Sequence, residues 1–286
     1  MVEKSATSHE QGNAAAKAMA FESGPGVFPL LGSDLLARRG RVLDLTRPLF
    51  EGMPQWFGHQ KTFISVNQDH EGFRRIWKTD PGFAARNLFM SEHVGTHTDA
   101  IFEYDPDGPT LDQTPLQYYW GQAVALDVSE VEFVDPDPTG KGYADESVIR
   151  RAEERLEAQG ESIRAGDIVL LWFDYGDHHF PSQKFIDEFP GVSWDGAEYL
   201  AKKGVVNIGT DCAGLDNTLD LQFAGHMVCK KYGLVNTESL ANLGPLVNRR
   251  FQFFGLPLNI RGGTGSPIRA FAWLPDETTS GGGDDS

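Results

Sequence analysis

Between residues 122 and 209 the chain alternates two kinds of apolar pattern, and this limits the folds open to it more than any other feature. Gln122-Ala-Val-Ala-Leu-Asp-Val128 and Asp167-Ile-Val-Leu-Leu-Trp-Phe173 are short continuous apolar runs, the mark of strands buried on both faces. Between them, residues 145–159 carry Val148, Ala152 and Leu156 at helical spacing, with Asp145 as the cap and Gly160 as the stop. A second helix is predicted over 193–203, capped by Ser193 and closed by Gly204, and Val205-Val-Asn-Ile-Gly209 reads as the next strand. A helix near 222–231 and a strand near 233–236 follow. At the two ends, strands cluster without helices between them: residues 41–46 alternate until Arg47-Pro48, and a β region runs from Phe251 to Ala272. Alternation in the middle and clustering at the ends predict an α/β fold with a mixed sheet.

Composition narrows the partners. The chain has 25 basic and 41 acidic residues, a formal charge of −16. That argues against nucleic acid, which needs clustered Lys and Arg against its phosphates, and against an anionic membrane surface. No apolar run approaches the ~20 residues of a membrane span. Residues 1–38 read as a polar arm without the apolar core of a secretory signal, which predicts a cytoplasmic protein. Residues 276–286 read as an acidic disordered tail. No linker divides what lies between, so residues 39–275 are expected to form a single domain. Cys212 and Cys229 are too few for a disulfide scaffold and read as small core residues.

The chemistry concentrates in Ser91-Glu-His93-Val-Gly95-Thr-His97-Thr-Asp99-Ala100. His97 and Asp99 are two apart and face one side of an extended backbone, and Gly95-Thr96 permits a bend that turns His93 inward. Two imidazoles and a carboxylate suit Zn²⁺, Mn²⁺ or Fe²⁺; the competing reading is a polar strand end with solvated histidines. His226 on a predicted helix and Glu238 at a strand end could converge, although spacing alone does not bring them together. His59, after Trp56-Phe57-Gly58, could line a pocket, and His178-His179 read as a solvent-facing loop. The nucleophile elbow, the P-loop, HExxH and paired CxxC are all missing from the sequence. Gly262-Gly-Thr-Gly265 reads as a tight turn or as backbone passing close to a ligand.

His93-Val-Gly-Thr-His97-Thr-Asp99 resembles the HxGTHxD signature of the metal-dependent cyclase-family hydrolases, which include kynurenine formamidase and isatin hydrolase. The resemblance spans roughly residues 40–274. It is supported by Asp44-Leu-Thr-Arg-Pro-Leu, Gly52-Met-Pro, Phe189-Pro-Gly-Val, Gly209-Thr-Asp211, Glu238-Ser-Leu-Ala-Asn-Leu and the tail from Leu256 to Arg269. It implies a swivelling β/β/α-type domain, a homodimer or homotetramer, and a divalent cation, Mn²⁺ or Zn²⁺, one or two per subunit. One cation would sit on His93, His97 and Asp99, and a second on Asp99, His226 and Glu238. The implied reaction is hydrolysis of a small amide, cyclic imide or lactam by metal-activated water, with Trp56, Phe57 and Phe63 packing a flat substrate ring. Arg86 or Arg269 is a candidate to hold a substrate carboxylate.

The chain departs from the family at one point. The signature usually continues as HxGTHxDxPxH, the last His serving as acid and base; here Ile101 replaces the Pro and Glu103 the His. Glu103 can carry the proton if burial raises its pKa, and a further ligand or an ion-pair partner are its other readings. Two alternative functions stand beside the amide hydrolase: a lactone or ester hydrolase at the same centre, and a non-catalytic metal- or ligand-binding relative.

Overall fold

The computed structural model describes residues 40–134 and 142–275. The expected polar arm and acidic tail lie outside the described residues. Arg41–Leu274 forms one compact unit.

The N-terminal third contributes β1 (Arg41–Asp44), β2 (Phe63–Gln68), α1 (His70–Trp77), β3 (Ala85–Phe89) and β4 (His97–Asp99). The alternating middle contributes β5 (Trp120–Asp127), β6 (Tyr143–Ala144), α2 (Glu146–Glu157), β7 (Ile168–Trp172), α3 (Gly176–His179), α4 (Lys184–Asp187), β8 (Gly191–Val192), α5 (Trp194–Lys202) and β9 (Asn207–Thr210). The chain then adds α6 (Ala224–Tyr232), β10 (Val235–Glu238), β11 (Arg250–Phe254), β12 (Gly265–Pro267) and β13 (Phe271–Leu274). A nine-stranded sheet runs in the order β1-β13-β11-β5-β7-β9-β10-β4-β12. Its centre, β5-β7-β9-β10, is parallel, and both flanks are antiparallel. The mixed α/β class expected from the pattern is therefore the observed one, for the reason the pattern gave: crossover helices separate only the central strands.

The continuous apolar runs follow from burial on both faces. Val124 and Leu126 of β5 and Val169 and Leu171 of β7 join α2 and α5 in one core. Their neighbours Ala123, Ala125, Ile168 and Leu170 pack on the opposite face with Leu45, Phe251 and Phe253. Truncating Leu126 or Leu170, both fully buried, to Ala costs about 2–5 kcal/mol on the usual cavity scale. The helix ends are where the side chains place them. Asp145 Oδ1 accepts from Val148 N–H at 2.9 Å, and Ser193 Oγ accepts from Gly196 N–H at 3.2 Å.

β2 and β3 form a separate two-stranded hairpin. α1, between them, buries none of its residues, and every residue of β3 is exposed. Among the described residues no helix is long and apolar enough to cross a membrane.

Candidate metal centre

β4 lies between β10 and β12, with Glu238 opposite His97 and Gly265 opposite Asp99. The two-residue alternation of a strand puts His97 and Asp99 on one face, and likewise Asn236 and Glu238 of β10 beside them. Gly95, at φ +61°, bends the chain ahead of β4 and returns His93 to the same face. At that left-handed φ a side chain is strained, and its Cβ would also meet Leu49 Cδ2 at 2.7 Å, so glycine suits the bend. α6 supplies His226 from the neighbouring wall.

The donor atoms converge. His93 Nδ1 lies 2.6 Å and His97 Nε2 3.4 Å from Asp99 Oδ1. His97 Nε2 is 3.5 Å from Glu238 Oε2. His226 Nε2 is 3.5 Å from Glu238 Oε1 and 3.9 Å from Asp99 Oδ2. They form two groups sharing Asp99, His93-His97-Asp99 and Asp99-His226-Glu238, each with its ligand atoms within 4.8 Å of one another. Each imidazole is held at its far nitrogen: His97 Nδ1 by Gly95 O at 2.8 Å, His226 Nδ1 by the Asp216 carboxylate, and His93 Nε2 by Thr264 Oγ1 at 2.8 Å. Such anchoring orients a metal-ligating histidine.

The electrostatics of the metal-free chain are strained. Burial would raise Asp99, but His97 and His93 hold its carboxyl below the usual range. Burial and the Asp99 charge push Glu238 and Glu103 each up to about 8. Burial opposes charge on His93, yet Asp99 draws its pKa up to about 9, while burial takes His97 down to about 4. Two buried carboxyl groups, Asp99 and Glu238, with Glu103 beside them on the cavity wall, cannot all ionise without a compensating charge. Nitrogen and carboxylate donors converging on one point are what a divalent transition cation requires, so these residues fit the metal.

Above the donors opens a cavity of about 350 Å³, walled by Trp56, Phe180, Phe185 and Phe189 among others. Glu103, at the end of a 3₁₀ turn (Ile101–Glu103), reaches into it with Oε1 3.5 Å from His93 Nδ1. Among the sequence candidates, Trp56 and His59 line this cavity. Phe57 and Phe63 do not. Phe57 packs on Trp56 with ring centroids 4.9 Å apart but is 89% exposed, on the solvent side of the Trp56 ring. Phe63 sits 54% exposed on the β2–β3 hairpin. Arg86 is on exposed β3 and Arg269 is paired with Asp44 on the surface, so neither reaches a ligand in the cavity. His178 and His179 lie in α3, His178 near Asp174 and His179 against the Tyr175 ring. Both cysteines are buried and free.

Sequence reasoning missed Asp216, which holds His226, and Asn236, whose Nδ2 donates to Asp99 Oδ2 at 2.6 Å and Glu238 Oε1 at 2.9 Å. Asn236 stands two residues before Glu238, and strand periodicity was the available signal for it.

Comparison with known proteins places the chain in a family. The family model described as "Putative cyclase" matches residues 43–217. Kynurenine formamidase of Bacillus mycoides is 27% identical over 230 residues, 80% of this chain and 95% of that protein. Isatin hydrolase of Roseibium aggregatum is 27% identical over 268 residues, 86% and 96% of the two chains. Among solved structures, isatin hydrolase A from Ralstonia solanacearum superposes with a TM-score of 0.71 at 24% identity, covering 89% of this chain and all of that one. A structure titled a potential metal-dependent hydrolase with cyclase activity gives 0.62 at 22% identity, covering 82% and 97%. The family model covers most of the chain, and the HxGTHxD run within it forms the centre of the site: the chain belongs to the cyclase family.

Proposed function

We propose that the protein is a metal-dependent hydrolase of a small amide, cyclic imide or lactam, cleaving a carbon–nitrogen bond other than a peptide bond. The observation that carries this is the convergence of His93, His97, Asp99, His226 and Glu238 at the floor of an aromatic-walled cavity, with Glu103 poised above them. The relatives named for a formamide and for isatin, a cyclic amide, support the same bond type.

His93, His97 and Asp99 would hold one divalent cation, and Asp99, His226 and Glu238 a second; the donor set suits Zn²⁺ or Mn²⁺. Bound there, such a cation supplies a Lewis acid for the scissile carbonyl and acidifies the attacking water. The chain's own residues do the rest. Glu103, placed above the donors, takes a proton from the water as the water oxygen bonds to the carbonyl carbon. It returns that proton to the nitrogen as the C–N bond breaks, leaving a carboxylic acid and an amine, or an amide where the substrate is an imide. Trp56, Phe180, Phe185 and Phe189 offer flat apolar faces to a ring. The described cavity wall contains no Lys or Arg, which favours a substrate without a negative charge.

The test is metal analysis of the purified protein, then turnover of an aryl formamide, a cyclic imide and a lactone with Zn²⁺ or Mn²⁺ restored. Metal-dependent cleavage of the formamide or imide, ahead of the lactone, is the expected result. No turnover of either with metal bound overturns the proposal. We further propose a homodimer or homotetramer, supported by the exposed Phe63, Trp77, Leu88 and Phe89 on the hairpin and α1. Light scattering on the eluting protein checks it, and a monomer refutes it.

A further inference from the structure

The glycine-rich run Gly262-Gly-Thr-Gly265 lies against His93. A Cβ on Gly265 would come within 2.6 Å of His93 Cε1 and 2.9 Å of Nδ1, so only glycine lets the ring rest on β12. The preceding residue is tied on the other side: Ala100 N–H, next to Asp99, donates to Thr264 O at 2.8 Å. Thr264 is thereby fixed between two parts of the centre.

Its side chain sits in a directional chain of hydrogen bonds. Glu92 Oε2 accepts from Thr264 N–H at 3.0 Å and from the Thr264 hydroxyl at 2.7 Å. A carboxylate only accepts, so the hydroxyl's single proton is committed to Glu92. Toward His93 Nε2, 2.8 Å away, Thr264 Oγ1 then presents lone pairs alone. Nε2 must carry the hydrogen. Nδ1, 2.6 Å from Asp99 Oδ1, carries the ring's other proton in the metal-free fold, and with Nε2 held protonated it is the nitrogen left to face a cation in the donor cluster.

We propose that Glu92 and Thr264 are positioning residues that act as a pair: Glu92 sets the direction of the Thr264 hydroxyl, and the hydroxyl sets the tautomer in which His93 offers Nδ1 to a divalent cation. His97 and His226 are oriented by a carbonyl and a carboxylate directly, whereas His93 depends on an interposed hydroxyl. A side chain that fills the same space without that hydroxyl should fail.

The experiment is Zn²⁺ affinity by chelator competition, with long-range ¹H–¹⁵N imidazole spectra of the Zn²⁺-loaded protein. Thr264→Val keeps the shape and removes the hydroxyl; affinity is expected to fall about 10–100-fold, the usual effect of removing such an outer partner. Thr264→Ser is expected to restore it, which a role in packing the methyl group would not. In the wild type the spectrum should show His93 protonated at Nε2 and bound through Nδ1. Near-UV circular dichroism checks the fold of each variant; if Thr264→Val does not fold, Glu92→Ala carries the same expected loss. Wild-type affinity in the variant that folds, a Thr264→Ser protein as weak as Thr264→Val, or His93 bound through Nε2 would each overturn the inference. Failure of the wild type to take up Zn²⁺ would overturn the metal centre and the inference with it, whereas Zn²⁺ uptake without hydrolysis would leave the inference standing and remove only the proposed reaction.

Discussion

Asp99 and Asn236 are 137 positions apart in the chain and 2.6 Å apart in the fold, Asn236 Nδ2 donating to Asp99 Oδ2. The same amide donates to Glu238 Oε1 at 2.9 Å. Asn236 thus stands between two ligand carboxyl groups and damps their repulsion in the metal-free chain. Asn236→Ala is expected to destabilise that chain by about 1–3 kcal/mol, the range for leaving a buried polar partner unmade. Added Zn²⁺ should recover much of the loss. Urea unfolding with and without Zn²⁺ measures both, and equal losses in the two conditions would contradict the role.

The ligand groups share one residue, so removing it should differ from removing the others. Asp99→Ala is expected to lose all bound metal. His226→Ala, on the second group only, should retain one cation where the wild type holds two. Elemental analysis of dialysed protein counts them; full occupancy in Asp99→Ala would refute the assignment.

Glu103 stands where the family signature has its acid–base histidine. Glu103→Gln is expected to lower kcat about 10²- to 10⁴-fold, the usual contribution of a positioned proton carrier, with metal content unchanged. Glu103→His should retain substantial turnover. Near-normal turnover in Glu103→Gln would assign the proton transfer elsewhere.

Stability of the metal-free chain should fall as pH rises between 6.5 and 9. His93 titrates at about 9 in the fold against an ordinary 6.5, and Glu103 and Glu238 at about 8 against 4.5. Throughout that window the folded state binds more protons than the unfolded one, so deprotonation favours unfolding. His97, lowered to about 4, opposes the trend only at the low end of the window, where the unfolded chain still holds part of the His97 proton, and this contribution fades as pH rises. Saturating Zn²⁺, which requires the deprotonated donors, should reverse the trend. Thermal midpoints at pH 6.5 and 9, with and without metal, decide it; a metal-free midpoint that rises with pH would be the wrong sign.

The fold and half of the centre were legible because they rest on local pattern. The runs at 122–128 and 167–173 are apolar at every position since both faces are buried, and Asp145 and Ser193 cap helices through bonds spanning three residues. His93, His97 and Asp99 share seven residues with a glycine bend among them. His226 and Glu238 needed the family resemblance, because α6 and β10 are brought to the site by the sheet. The strand expected at 233–236 begins instead at Val235, after the left-handed Gly233 that ends α6. That offset places Glu238 at the strand's last position. Aromatic content could not separate Trp56, in the cavity, from Phe57 and Phe63, outside it, since nothing local says which way a turn residue points. Asp216 and Thr264 act through partners 10 and 171 positions away.

The pairing of β4 with β10 also orders events in the life of the molecule. On a ribosome, His93, His97 and Asp99 emerge well before the strand that completes their surroundings. Closing so long a loop draws on the apolar sheet rather than on a few ligand bonds. A chain ending before residue 235 would carry the whole signature and His226 but not Glu238. The donor set is therefore complete only once β10 has joined the sheet beside β4.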